Sequence, residues 1–250
     1  MNLSRISICD CEAFRCTIRC IVVDSVLLIG GARAPDYLLR AVAGRVSYIA
    51  TADSGLDHAR ELGLAPDLIC GDMDSVSNPD IADLYPEAQV YRFGREKDET
   101  DTEIGLRLLR EAGFVNPVIF GGGASGRPDH YFGILWTFER TPAPRGWIDS
   151  DAEMLVVEEG ERFEVGAEPG TIVSCFPVGR GPFSFMSDGL RWPLHGLQWT
   201  RETSGMSNIV DTERISISVT AGRILIVRPF VVDSSSNGSE LVYGTWRATA

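Results

Sequence analysis

Leu68-Ile69-Cys70-Gly71-Asp72-Met73-Asp74-Ser75 decides the reading of this chain. An apolar run meets a glycine, and two aspartates follow with one residue between them. In an extended segment, residues two apart project from the same side. A strand ending at Cys70 therefore delivers Asp72 and Asp74 together to the carboxyl edge of a sheet, where α/β proteins place their ligands.

A second acidic stretch, Glu96-Lys97-Asp98-Glu99-Thr100-Asp101-Thr102-Glu103, opens a helical pattern. Thr100 with Glu103 fits a capping box, which makes Thr100 the N-cap and Asp101 the first helical residue. A helix dipole favours carboxylates at such a start. Asp98 and Asp101, added to Asp72 and Asp74, exceed what a cap needs. Hard oxygen ligands drawn from two loops suit Mg²⁺, which takes one or two carboxylates and fills its sphere with waters and phosphate oxygens. Two unrelated solvated turns on an acidic protein are the other reading of the same spacing.

Outward from these loops, strands and helices alternate. Strands are expected at Val26–Ile29, Ser47–Ala50, Asp67–Cys70, Gln89–Phe93 and Val118–Phe120. Helices are expected over 35–43, 56–62, 101–112 and 129–139, from apolar residues at helical spacing and glycine stops. This alternation indicates a parallel sheet with helices on both faces. After the proline-rich 141–146 the pattern changes to short strands separated by Gly and Pro, at 154–157, 162–165, 171–176, 215–219 and 224–227. That half reads as an all-β sandwich. The expected organisation is an extension at 1–24, an α/β domain at 25–144, a β-sandwich domain at 145–230 and a tail at 231–250 with one more strand at 241–243.

Composition narrows the function. A formal charge of −12 over 250 residues, with no basic patch, argues against nucleic acid, which is bound through clustered Lys and Arg. No stretch approaches the roughly twenty apolar residues of a membrane span. The N-terminus lacks an apolar core with a small-residue cleavage site, so a cytoplasmic location is expected. Cys9, Cys11, Cys16 and Cys20 match zinc-ligand spacing poorly and read as reduced thiols, as do Cys70 and Cys175.

Gly121-Gly122-Gly123-Ala124-Ser125-Gly126 satisfies G-x-G-x-x-G between a strand and a helix. A dinucleotide fingerprint also wants an acidic residue about twenty positions on, at the end of the next strand. Asp149 has the distance, but the proline-rich stretch argues that no βαβ unit closes there. A phosphate cradle served by backbone amides, the helix start and Arg127 fits better. A plain glycine turn remains the alternative. In the β half, Gly189-Leu190-Arg191-Trp192-Pro193-Leu194 offers a flat indole face for a cationic or aromatic ligand. Ser204-Gly205-Met206-Ser207-Asn208 stands out beside it.

Taken in order, Ala52-Asp53-Ser54-Gly55, Gly71-Asp72-Met73-Asp74-Ser75, Lys97 to Glu103, the glycine loop through Arg127-Pro128-Asp129-His130, Gly189 to Leu194 and Ser207-Asn208 resemble the thiamine pyrophosphokinase (thiamine diphosphokinase) family. The resemblance covers about residues 26 to 228. It implies an α/β nucleotide-binding domain, a β-sandwich, and a homodimer with active sites at the subunit interface. It also implies transfer of the pyrophosphoryl group of ATP to the hydroxyl of thiamine, releasing AMP. By resemblance, Asp72, Asp74 and Asp101 would hold Mg²⁺, and Asp98 or Asp101 would take the hydroxyl proton. Asp53, Ser54, Gly55, Lys97, Thr100, Gly123, Arg127 and Asp129 would meet ATP. Trp192, Ser207 and Asn208 would line the thiamine pocket. Two positions depart from the family pattern: Ser54 stands where a second glycine is usual, and Pro128 replaces a common leucine. A pterin pyrophosphokinase of related fold, a nucleotide-sensing module and a nicotinamide dehydrogenase are the competing readings.

Overall fold

The computed structural model describes residues 6–7, 10–11, 14–15, 22–77, 79–94, 96–123, 127–232 and 241–242. The chain divides into two compact units, one built chiefly from Val23–Thr137 and Pro142–Ser150, the other from Phe138–Thr141 and Asp151–Ala250.

The first unit alternates β1 (Ser25–Gly31), α1 (Asp36–Ala43), β2 (Ile49–Ala52), α2 (Gly55–Glu61), β3 (Leu68–Gly71), β4 (Gln89–Arg92), α3 (Asp101–Glu111), β5 (Pro117–Gly122), α4 (Pro128–Thr137) and β6 (Gly146–Ile148). Its strands are all parallel, in the order β6-β5-β1-β2-β3-β4. Val26, Leu27 and Leu28 are fully buried, as a central strand covered on both faces requires. Ile69 packs with Leu56 of α2, while the next residue, Cys70, reaches the Asp101 carbonyl of α3 at 4.0 Å. Consecutive strand residues point to opposite faces, so α2 and α3 cover opposite sides of the sheet.

Two local expectations change. The second strand is Ile49–Ala52 rather than 47–50, which brings Asp53 directly to a strand end. The proline-rich stretch does not end the first unit. Trp147 is fully buried on β6 and its indole N–H donates to the Gly121 carbonyl at 2.7 Å, so the unit runs to Ser150 and not to 144. A three-residue strand is too short to show a period, which is why the sequence hides it. A βαβ unit therefore does close around the glycine loop, through β5, α4 and β6. Asp149 follows β6 but is fully buried.

The second unit holds β7 (Ala152–Glu158), β8 (Arg162–Gly166), β9 (Ile172–Pro177), β10 (Ser184–Asp188), β11 (Gly205–Ile209), β12 (Arg214–Ala221) and β13 (Arg223–Pro229). Antiparallel neighbours run β11-β9-β13-β7 and, separately, β8-β12-β10. Ile215, Ile217 and Val219 alternate into the core, with Phe163 and Val165 opposite them on β8. Strands β10 and β11 escape the sequence reading because each is only five residues long and neither alternates polar with apolar residues.

Short strands at Ile6–Ser7, Asp10–Cys11 and Phe14–Arg15 belong to the N-terminal arm. Cys9, Cys16 and Cys20 lie outside the described residues, as does most of the tail. Leu241–Val242 does pair with Val231–Val232. No helix among the described residues is long and apolar enough to cross a membrane.

Candidate active site

Parallel strands β2 and β3 end side by side, and each hands the chain to an aspartate. The Asp53 N–H donates to the Cys70 carbonyl at 2.9 Å, which locks the two ends together. Gly71 has φ +133°, and a Cβ there would sit 1.9 Å from Asp53 Oδ1. Glycine thus leaves the space in which the Asp53 carboxylate lies. Asp53 and Met73 both adopt positive φ, at 46° and 62°, so the turns carrying the acids are strained.

The third acid comes from α3. The capping box forms as expected: Glu103 N–H donates to Thr100 Oγ1 at 3.3 Å, and Thr100 N–H donates to Glu103 Oε2 at 2.7 Å. It sets Asp101 at the helix start, where Lys97 Nζ donates to Asp101 Oδ1 at 2.6 Å. Asp101 and Asp53 come within hydrogen-bonding reach of each other, with the Asp72 charge close by. Burial first, then Asp101 and Asp72, push the Asp53 carboxyl up from 3.8 to about 7. Burial works against the Lys97 charge, yet its hydrogen bond to Asp101 and the surrounding carboxylates raise its pKa.

The Asp72–Ser77 turn is held at both ends. Asp72 Oδ1 accepts from the Asp74 N–H at 3.1 Å. Asp57 of α2 accepts from the Ser77 N–H at 2.9 Å and from its hydroxyl at 2.5 Å. Sequence reasoning missed Asp57, because its task is apparent only once α2 and the turn lie together. Glu99 is similarly held by Arg107 Nε at 3.0 Å. Asp74 and Asp98 stand exposed on their loops.

Among the described residues no three His, Cys, Asp or Glu side chains form a ready-made metal cage. Asp53 Oδ1 is buried without a hydrogen-bond donor, however, and faces a second carboxylate. Such a site gains from a cation, and an incomplete protein set is what a metal shared with phosphate oxygens uses. The residues present therefore fit a hard divalent ion.

Ionisation of Asp53 has a consequence for stability. A carboxyl with a raised folded pKa costs folding progressively as pH rises from 3.8 to about 7, and the cost stays in place above that. Asp53→Asn carries no such charge. In chelator, its unfolding midpoint is expected to approach that of wild type near pH 4, to exceed it increasingly up to about pH 7 and to keep that margin above, as followed by calorimetry. A pH-independent difference would show that Asp53 is not held in this environment.

The remaining expected nucleotide contacts sit nearby in the same unit. Ser54 fits because Gly30 lacks a Cβ: one built there would lie 2.1 Å from Ser54 Oγ. The departure from glycine at Ser54 is thus matched within the fold. Gly55 is buried against the Leu28 carbonyl and serves packing. Gly121 has φ +105° and passes the Ile29 carbonyl so closely that a Cβ would lie 2.4 Å from it. The glycine loop continues through Gly123, while residues 124–126 lie outside the described residues. Arg127 is bound to Asp129, Nε to Oδ1 at 3.2 Å and NH2 to Oδ2 at 2.5 Å, with both side chains exposed.

In the second unit, Trp192 is 55% exposed and the Arg191 guanidinium lies 5.8 Å from its ring centroid. That indole face accepts a cation. Ser207 is exposed with φ +57°, and its N–H donates to Ser174 Oγ at 3.0 Å. Asn208 is 3% exposed, and its side-chain amide is hydrogen-bonded to the Trp192 backbone and to the Ile209 N–H.

A doubly wound parallel sheet with an acidic cluster and a lysine at its carboxyl edge, followed by an antiparallel β unit with an exposed indole, defines a two-part α/β-plus-β protein. Two family models match these parts: thiamin pyrophosphokinase, catalytic domain, over residues 39–145, and thiamin pyrophosphokinase, vitamin B1 binding domain, over residues 160–224. Together they span more than half of the chain, which belongs to the thiamin pyrophosphokinase family.

Solved structures agree. The thiamin pyrophosphokinase of Geobacillus thermodenitrificans is 27% identical, with a TM-score of 0.64 over 84% of this chain and 99% of that one. The Bacillus subtilis thiamine pyrophosphokinase, 20% identical, has a TM-score of 0.66 over 82% and 98% of the two chains. The Candida albicans enzyme, 16% identical, has a TM-score of 0.59 over 83% and 88%. The last two show the shared fold. No curated relative matches the chain by sequence.

Proposed function

We propose that this protein transfers the pyrophosphoryl group of ATP to the hydroxyl of thiamine, giving thiamine diphosphate and AMP. The observation that carries the reading is the meeting of Asp53, Asp72, Asp101 and Lys97 at adjoining strand ends, within the part that matches the family's catalytic domain. The match of residues 160–224 to a vitamin B1 binding domain favours thiamine over a pterin as acceptor.

Pyrophosphoryl transfer asks a protein for positioning and charge neutralisation more than for covalent work. The thiamine oxygen attacks the β-phosphorus, the bond from that phosphorus to the bridging oxygen of the α-phosphate breaks, and AMP leaves with the electron pair. Mg²⁺ held by Asp72, Asp74 and Asp101, with Asp53 beside them, would neutralise phosphate charge. Lys97 adds a cation at the same edge. The hydroxyl proton goes to a carboxylate, Asp98 or Asp101. Trp192 receives the cationic thiazolium. The family resemblance supports a homodimer, which sedimentation measures directly. The need for ATP and the free thiols of Cys70 and Cys175 favour a cytoplasmic location.

Incubation with ATP, Mg²⁺ and thiamine is expected to yield AMP and thiamine diphosphate in equal amounts, separated by chromatography. ADP as the nucleotide product, or no product, would overturn the reading.

A further inference from the structure

Backbone pairing between the Trp192 segment and β11 stops abruptly. Leu190 and Val210 form an antiparallel bridge, the Arg191 N–H donates to the Ile209 carbonyl at 2.8 Å, and the Asp211 N–H donates to the Gly189 carbonyl at 2.9 Å. Residue 193 is proline, which has no N–H to extend a ladder. At this point a side chain takes over. Asn208 Nδ2 donates to the Trp192 carbonyl at 2.7 Å, and Asn208 Oδ1 accepts from the Trp192 N–H at 3.1 Å and from the Ile209 N–H at 2.9 Å. The amide thus pairs with both polar groups of one residue as a peptide of a neighbouring strand would.

We propose that Asn208 is a positioning residue for the thiamine site, clamping the Trp192 backbone so that the exposed indole is held ready for the substrate cation, and making no contact with the substrate itself. The proposal rests on the thiamine reading above. Its physical basis is burial: at 3% exposure and with Oδ1 doubly occupied, the amide has little to offer a ligand. The indole one clamp away is more than half exposed. Without the clamp, the Trp192 N–H and carbonyl lose the hydrogen bonds that fix them beside β11, and the ring loses its fixed direction.

A double-mutant cycle on the full chain tests this, with thiamine affinity read by calorimetry without ATP and with kcat and KM read separately. Wild-type binding of thiamine tests the underlying reading; if wild type binds none, that reading fails and the clamp with it. Given binding, Asn208→Ala is expected to weaken thiamine about tenfold, the size of a lost hydrogen-bond pair. The KM for ATP and kcat should stay near wild type. Combined with Trp192→Ala it should weaken binding no further than Trp192→Ala does by itself, since both act through one indole. Effects that multiply would mean that Asn208 touches thiamine, and would overturn the clamp while leaving the reading intact. A fall in kcat with unchanged thiamine KM would also overturn it. If Asn208→Ala fails to fold, Asn208→Asp replaces it in the cycle, because it keeps the acceptor for the Trp192 N–H and loses the donor.

Discussion

Asp101→Asn is expected to lower turnover by on the order of 10²–10³-fold, the usual loss when a charge aimed at the reacting centre is removed. Asp101 joins three features of the acidic edge. It starts α3, it anchors Lys97 at 2.6 Å, and it faces Asp53. Asparagine keeps the shape and the capping box, so the helix should survive at a cost of about 0.5 kcal/mol from the lost dipole interaction. The charge is what disappears: Lys97 loses its partner, and Asp53 loses the neighbour that helps to hold its proton. Steady-state rates, with circular dichroism to verify the fold, check this outcome. A near-normal rate would show that the chemistry lies elsewhere than at the ends of β2 and β3.

The largest effect on stability is expected from Gly55→Ala. A Cβ at residue 55 would lie 2.2 Å from the Leu28 carbonyl oxygen, 2.5 Å from its carbon and 2.9 Å from the Ile29 Cα. All three are backbone atoms of β1, which pairs with β2 on one side and β5 on the other and so cannot withdraw. Overpacking of this kind costs about 3 kcal/mol, which lowers the unfolding midpoint by about 6–12 °C for a chain of this size. Gly133→Ala is the control: it lies within α4, and nothing stands within 4 Å of the added carbon. There the better helix former should raise stability by up to about 1 kcal/mol. Equal effects at the two positions would mean that helix propensity, and not contact with β1, decides the result.

Both predictions rest on features that differ in how far a sequence reveals them. The alternation of strand and helix through residue 137 and the period-two pattern of Ile215, Ile217 and Val219 are local, so the chain itself announces them. The capping box at Thr100 and Glu103 is equally local, and it forms. Strand β6 and the sheet membership of Gly205–Ile209 are different. Each is short or polar, and each exists because a neighbouring strand supplies its hydrogen bonds.

The same division runs through the candidate site. Spacing along the chain determined that Asp72 and Asp74 share a turn after a strand, that Asp101 starts a helix and that Trp192 precedes a proline. Such facts depend on neighbours a few residues away. Tertiary structure decided which of these groups meet: Asp53 lies by Asp72 because β2 and β3 end in register, it presses on Asp101 because α3 starts against the end of β3, and Asn208 grips Trp192 because β11 runs beside residues 190–192. Contacts between distant segments are set by strand order and register, and the raised pKa of Asp53 and the burial of Asn208 exist only after the chain has folded.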